Sequence, residues 1–251
     1  MKFGVAEYGL FVWYGGYYDY RTRLADLKAL GFDGIERLEC ADAADAVYKA
    51  AECRRLGMDF ATVRGPNVEI SNLITGAMGK EYVWNTPLGI GRDVPMDVYI
   101  RRCNEFAKGA KAWGLKSVLH NHLGQRIENQ EELDIFMKEC PEVGLLLDIG
   151  HLHGAGGDVL GTIEKYFDRI VAVHFKDIFI KDDSIGLENW TERLRFCELG
   201  AGNANEPWEE AGKLLKKLGY DGWVFVEHDT HLQDPMIDLK VSIDHLKRIF
   251  L

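Results

Sequence analysis

The sequence predicts an α/β protein folded as a (β/α)8-type barrel, and three observations carry that expectation. Short apolar strands alternate with amphipathic helical stretches from one end to the other, with no composition break to separate two domains. A length of 251 residues suits one such barrel, so residues 1–251 are read as a single domain. The three leucines of VGLLLDIGHLHGAGGD (Val143–Asp158) make a run apolar on both faces, as a parallel strand must be when helices cover the sheet.

The elements follow in order. Lys2–Ala6 is a strand, and the aromatic stretch YGLFVWYGGYYDY after it is read as a loop that lines a sugar site or caps the barrel. Arg21–Leu30 is a helix with leucines spaced by three and Gly31 as its stop. Asp33–Leu38 is a strand, Ala43–Leu56 an alanine-rich helix stopped by Gly57, and Asp59–Arg64 a third strand. Between Gly65 and Asp93 the pattern dissolves into glycines, asparagines and prolines, which predicts a long loop over the barrel mouth. Trp84, Asn67, Asn72 and Asn85 would close it over a polar ligand. Helix Val94–Trp113, strand Ser117–His120, helix Gln130–Lys138 and strand Gly144–Asp148 come next. Helix Val159–Phe167 and strand Ile170–Phe175 precede a loop to about Asn205. Helix Pro207–Leu218, strand Trp223–Glu227 and helix Met236–Phe250 close the chain. Seven strands are identifiable in this way. Unless Gly65–Asp93 supplies the eighth, the barrel carries one irregular or missing unit. A doubly wound open sheet is the alternative, but GGYYDY is a poor phosphate loop.

Composition narrows the function. A formal charge of −10 repels phosphate backbones, so nucleic acid is not an expected partner. No run of 18 apolar residues exists and the N-terminus lacks a long apolar leader, which points to a cytoplasmic chain without membrane attachment. The cysteines are odd in number and widely spaced, as expected of reduced thiols.

Four successive strands end in a ligand-type residue: VLHNH, LLLDIGH, VAVHFKD and FVEHD. His120, Asp148, His174 and Glu227 are the candidate metal ligands. Two imidazoles with two carboxylates suit one borderline divalent transition ion, Mn²⁺ first, with Co²⁺, Zn²⁺ or Fe²⁺ as alternatives. A lone strand-end histidine is more often structural, and a strand-end aspartate is as often a helix cap. Four in four consecutive units argue for a shared ion. His122, His151 and Lys176 surround this set as candidate catalytic groups, and Trp13, Glu36 and Arg64 are candidates for substrate contact. The glycines of Gly154–Gly157 are read as a tight turn rather than an anion cradle.

At these motifs the chain resembles the xylose isomerase-like TIM barrels, the sugar phosphate isomerase/epimerase family. The resemblance covers the C-terminal half and extends weakly to GFDGIERLE. It implies a metal held by strands five to eight. Asp148 in DIGH, His174 in HFKD and Glu227 in VFVEHD match that pattern, and His120 in LHNH stands where the family carries glutamate. Histidine there, together with DIGHLHGAGGD, FCELGAGN and GWVFVEHDTHLQDP, resembles the inosose dehydratases of the family, although the chain is short for one.

Loss of one carboxylate base disfavours two-base epimerisation, whereas elimination needs a polarised keto oxygen, one base and one acid. The expectation is a metal-dependent lyase acting on a keto-sugar or keto-cyclitol, with His151 as first proton-moving group and His122 as second. A ketose isomerase or epimerase is the alternative. An endonuclease acting on abasic DNA conflicts with the charge, and a sugar-binding barrel would not need four aligned ligands. The expected partner is a small carbohydrate, with no nucleic acid and no membrane; assembly as a homo-oligomer stays open.

Overall fold

The computed structural model describes residues 1–16, 18–87 and 91–251. In chain order the elements are β1 (Lys2–Ala6), α1 (Tyr8–Trp13), α2 (Tyr20–Leu30), β2 (Gly34–Glu39), α3 (Ala43–Arg55), β3 (Asp59–Arg64), α4 (Val68–Ala77) and β4 (Tyr82–Trp84). Then come α5 (Met96–Lys111), β5 (Lys116–His120), α6 (Gln130–Glu139), β6 (Gly144–Asp148), α7 (Ile149–Gly154), α8 (Val159–Tyr166) and β7 (Ile170–Phe175). The last third holds β8 (Asp177–Ile180), α9 (Trp190–Arg193), β9 (Leu194–Cys197), α10 (Trp208–Leu218), β10 (Trp223–Glu227) and α11 (Pro235–Phe250).

Eight strands pair in the order β3-β2-β1-β10-β7-β6-β5-β4, all parallel. The two end strands, β3 and β4, lie beside each other without a ladder, so the barrel is nearly closed. Alternation along each strand divides the apolar residues between two layers. Leu145 and Leu147 pack outward in the core shared with the helices, while Leu146 faces the lumen with Ala6, Ala61, Tyr82, Val118, Ala172 and Phe225. All three leucines are fully buried, each contributing roughly 1.5–3 kcal/mol of transfer free energy. That two-sided burial is why LLL reads as a parallel strand.

The segment Gly65–Asp93 is not a loop over the mouth. It contains α4 and β4, the unit the sequence pattern hides, and the barrel has its eight strands. Asn67 accepts the amide of Ile70 as the cap of α4, so it starts a helix rather than a loop. Strand β4 is only three residues long, too short to display alternation. Leu88, Gly89 and Ile90 of this segment lie outside the described residues, as does Tyr17 of the aromatic stretch. That stretch is also partly helical, as α1. The long connection before Asn205 holds the antiparallel hairpin of β8 and β9. The glycines after α7 do form a tight turn: Gly156 has φ of 78° and Gly157 donates to the carbonyl of Leu152.

Candidate active site

The same alternation that fills the lumen builds the site. One step above the apolar layer, the lumen-facing positions are His120 on β5, Asp148 on β6, His174 on β7 and Glu227 on β10. One ligand atom from each lies within 4.8 Å of the others, and all four residues are buried. Two residues further along come His122, Lys176 and Asp229, on the same faces. Asp229 was not anticipated, although it stands to Glu227 as His122 stands to His120.

Local structure holds these groups in place. Asp148 serves as both cap and site residue: its Oδ1 accepts the amide of His151 at 2.8 Å, and its Oδ2 lies 3.3 Å from Nε2 of His120 and 3.3 Å from Nδ1 of His174. Asn121 exchanges two 2.9 Å hydrogen bonds with the backbone of Asp148, joining the ends of β5 and β6. His174 also places Nδ1 at 2.9 Å from Oε2 of Glu227 and Nε2 at 3.1 Å from Oε1 of Glu36. Trp84, at the end of β4, donates its indole N–H to the same Glu36 oxygen at 3.0 Å and packs its ring 4.6 Å from that of His120.

Lys176 is fully buried. Its ammonium lies 2.8 Å from Asp148, 2.5 Å from Glu227 and 3.4 Å from Asp229. Gly150 makes room for it, since a Cβ there would come within 2.4 Å of the lysine chain. Burial alone would lower the lysine's pKa, but the charges of Asp148, Asp229 and Glu227 hold it well above the ordinary value. Burial likewise opposes ionisation of Asp148 and Glu227, yet the Lys176 charge keeps both carboxyls well below their usual range. Burial raises Asp229. His120 is pushed down to about 4 by burial, so it is a neutral imidazole with a lone pair. For His174 burial is overcome by Glu227 and Glu36, which hold it well above its ordinary value.

The donor set fits a divalent ion. Four carboxylates, Glu36, Asp148, Glu227 and Asp229, converge on one ammonium and a histidine drawn towards its protonated form. A region so anionic favours any cation, and the mixed N and O donors select a borderline metal over Mg²⁺ or Ca²⁺. Among the described residues, Oε2 of Glu36 and Nε2 of His151 are buried without a hydrogen-bond partner.

A cavity of about 730 Å³ opens above the cluster. His120, His122, Glu227, Asp229, Trp84 and Arg64 line it, and Glu36 reaches it only through Trp84 and His174. His151 is fully buried behind His122, the two rings 3.6 Å apart. Trp13 is 43% exposed and is not among the lining residues. Tyr8 and Val12, four residues apart on α1, face the cavity instead, and the next position along a helix points about 100° away. Of the asparagines expected to close the mouth, Asn67 and Asn72 line the cavity, while Asn85 donates inward to the carbonyl of Cys103.

Comparison with known proteins agrees with this architecture. The inosose dehydratase of Yersinia enterocolitica is 35% identical over 145 residues, 53% of this chain and 47% of that protein. The inosose dehydratase of Geobacillus thermodenitrificans is 30% identical over 199 residues, 75% of this chain and 65% of that protein. The chain thus spans about half the length of the first of these relatives and 65% of the second. Among solved structures, the D-psicose 3-epimerase of Clostridium cellulolyticum H10 superposes with a TM-score of 0.71 at 16% identity, covering 100% of this chain and 99% of that one. The IOLI protein with a bound zinc atom gives 0.72 at 16% identity, covering 100% and 98%. At such identities these two likenesses speak for the fold alone. The family profile described as xylose isomerase-like TIM barrel matches residues 53–249, and the chain belongs to that family.

Proposed function

We propose that the protein is a divalent-metal-dependent dehydratase that removes water from a keto-cyclitol or keto-sugar. The observation that carries this reading is a pair of histidines that meet opposite hydrogen-bonding groups of one residue's backbone, the carbonyl and the amide of Leu123. The carbonyl of Leu123 can only accept, so Nδ1 of His122, 2.6 Å away, carries a proton and Nε2 is the nitrogen left to act as a base. The amide of Leu123 can only donate, so Nδ1 of His151, 3.2 Å away, is the acceptor and its Nε2 carries the proton. His122, which lines the cavity, is the base for the α-proton, and His151 backs its ring from behind. This reverses the order of preference drawn from the sequence. Burial, followed by the Lys176 charge, holds His151 well below its ordinary pKa, consistent with a neutral imidazole.

His120, Asp148, His174 and Glu227 would hold the ion, Mn²⁺ by preference, which supplies Lewis-acid polarisation of a keto oxygen when bound. The ammonium of Lys176 keeps Asp148 and Glu227 ionised. Arg64 and Trp84 on the cavity wall orient a polyhydroxy substrate. The inosose dehydratase relatives support the choice of a cyclitol. The buried thiols, none in a disulfide among the described residues, suit a reducing, cytoplasmic setting.

An isomerase or epimerase reading is favoured by Glu36. It places a carboxylate across His174 from Glu227, a second potential base that motif reasoning had not paired with it. The test of metal dependence is chelation followed by reloading with single ions while a keto-inositol is followed by NMR. Loss of turnover on chelation and recovery with Mn²⁺ is expected. Turnover indifferent to the chelator, or retained by Asp148→Asn, would overturn the reading.

A further inference from the structure

We propose that His228, His231 and Asp238 form a second divalent-metal site, structural in role, behind the cavity wall. The loop after β10 supplies both histidines, and the first turn of α11 supplies the aspartate. One ligand atom from each lies within 4.8 Å of the others. All three side chains are withdrawn from solvent: His228 and Asp238 are buried, and the His231 side chain is 1% exposed.

A hydrogen-bonded loop anchor accounts for part of this cluster. Nδ1 of His231 is 2.9 Å from Oδ2 of Asp238, whose Oδ1 accepts from Gln233 at 2.6 Å. It does not account for His228. Nε2 of that ring is 3.2 Å from Oγ of Ser242, but its Nδ1 is buried and, among the described residues, meets no hydrogen-bond partner. An orphaned buried imidazole nitrogen is costly unless something coordinates it.

The surroundings match what a metal-bound imidazole requires. A ligating histidine gives its other N–H to an oxygen that fixes the ring, and a ligating carboxylate is itself hydrogen-bonded. Ser242 takes the first role and Gln233 the second. Ser242 is anchored in turn, since it also accepts the amide of Leu199 at 3.2 Å. With Nε2–H directed to Ser242, Nδ1 of His228 is left as the lone pair. Two nitrogens and one carboxylate oxygen are donors that suit a tetrahedral Zn²⁺ or Co²⁺. The inferred role is structural because the backbone is already tightly apposed here. Helix α1 lies so close that a Cβ on Gly9 would come within 1.8 Å of the His228 carbonyl. An ion at this point would tie α11 to the loop that carries Asp229 and Thr230 into the cavity.

The experiment counts ions on the full chain, stripped with chelator, saturated with Zn²⁺ and freed of excess. Two ions per chain are expected for the wild type. His231→Ala and Asp238→Asn should each bind one, and Asp148→Asn combined with His231→Ala none. In the Co²⁺-loaded Asp148→Asn protein, visible absorption typical of tetrahedral Co²⁺ should be present and should vanish on adding His231→Ala. His231→Gln, which retains a hydrogen-bonding side chain, serves if the alanine variant fails to fold. The proposal is overturned if the His231 and Asp238 variants bind as many ions as the wild type. It is also overturned if Asp148→Asn binds none. Loss of the catalytic ion alone would leave one Zn²⁺ in His228, His231 and Asp238, so failure of the catalytic reading is distinguishable.

Discussion

Replacing Lys176 by Met removes the one ammonium in a ring of carboxylates while keeping most of the side-chain volume beside Gly150. Asp148 at 2.8 Å, Glu227 at 2.5 Å and Asp229 at 3.4 Å then face one another without it. Removing one partner of a buried ion pair costs about 3–5 kcal/mol, because the desolvated charge left behind is uncompensated. In a chain of this size each kcal/mol shifts Tm by roughly 2–4 °C, so metal-free Lys176→Met should melt about 6–20 °C below the wild type. A divalent ion on the same carboxylates replaces much of the lost charge. Saturating Mn²⁺ should therefore raise the variant's Tm more than the wild type's and narrow the gap. The assay is thermal unfolding followed by circular dichroism, in chelator and in Mn²⁺. A variant melting with the wild type in chelator, or a gap that Mn²⁺ leaves unchanged, would refute the electrostatic account of this cluster.

Further predictions follow from the same geometry. His174 is held well above its ordinary pKa in the metal-free protein, so an ion binding at pH 7 must displace its proton. Affinity should rise as pH rises, and calorimetry in buffers of different ionisation enthalpy should detect about one proton released per ion; no release would contradict the ligand set. His122→Gln should lower kcat by about 10²–10⁴ with metal occupancy unchanged, the range for losing a general base; a near-normal kcat would assign the base elsewhere. Leu146→Ala and Leu147→Ala open cavities on opposite faces of β6, and each should cost about 2–5 kcal/mol in denaturant unfolding. A cost near zero at Leu146 would mean that the lumen is not a packed layer.

Much of the site was legible because a barrel displays its chemistry at strand ends. His120, Asp148, His174 and Glu227 each close an apolar run, and a period of two carries the lumen face onward to His122 and Lys176. The same period reaches Asp229, the second residue after Glu227 in EHD. Helix α4 and strand β4 were hidden for a local reason: Asn67 is a helix cap and YVW is too short to alternate. Which side chains of the aromatic stretch face the cavity is decided by the rotation of α1, which presents Tyr8 and Val12, and a sequence read there as loop carries no such rotation. The proposed division of labour between His122 and His151 rests on the backbone of Leu123, whose orientation no motif displays.

The most direct test of the central claim is the fate of the α-proton. Mn²⁺-loaded protein incubated with a keto-inositol in D₂O should convert it to a product one water lighter, seen by NMR and mass spectrometry. Recovered substrate should show no deuterated epimer. A clean epimer carrying deuterium at the inverted carbon would contradict the dehydratase reading and support the epimerase one.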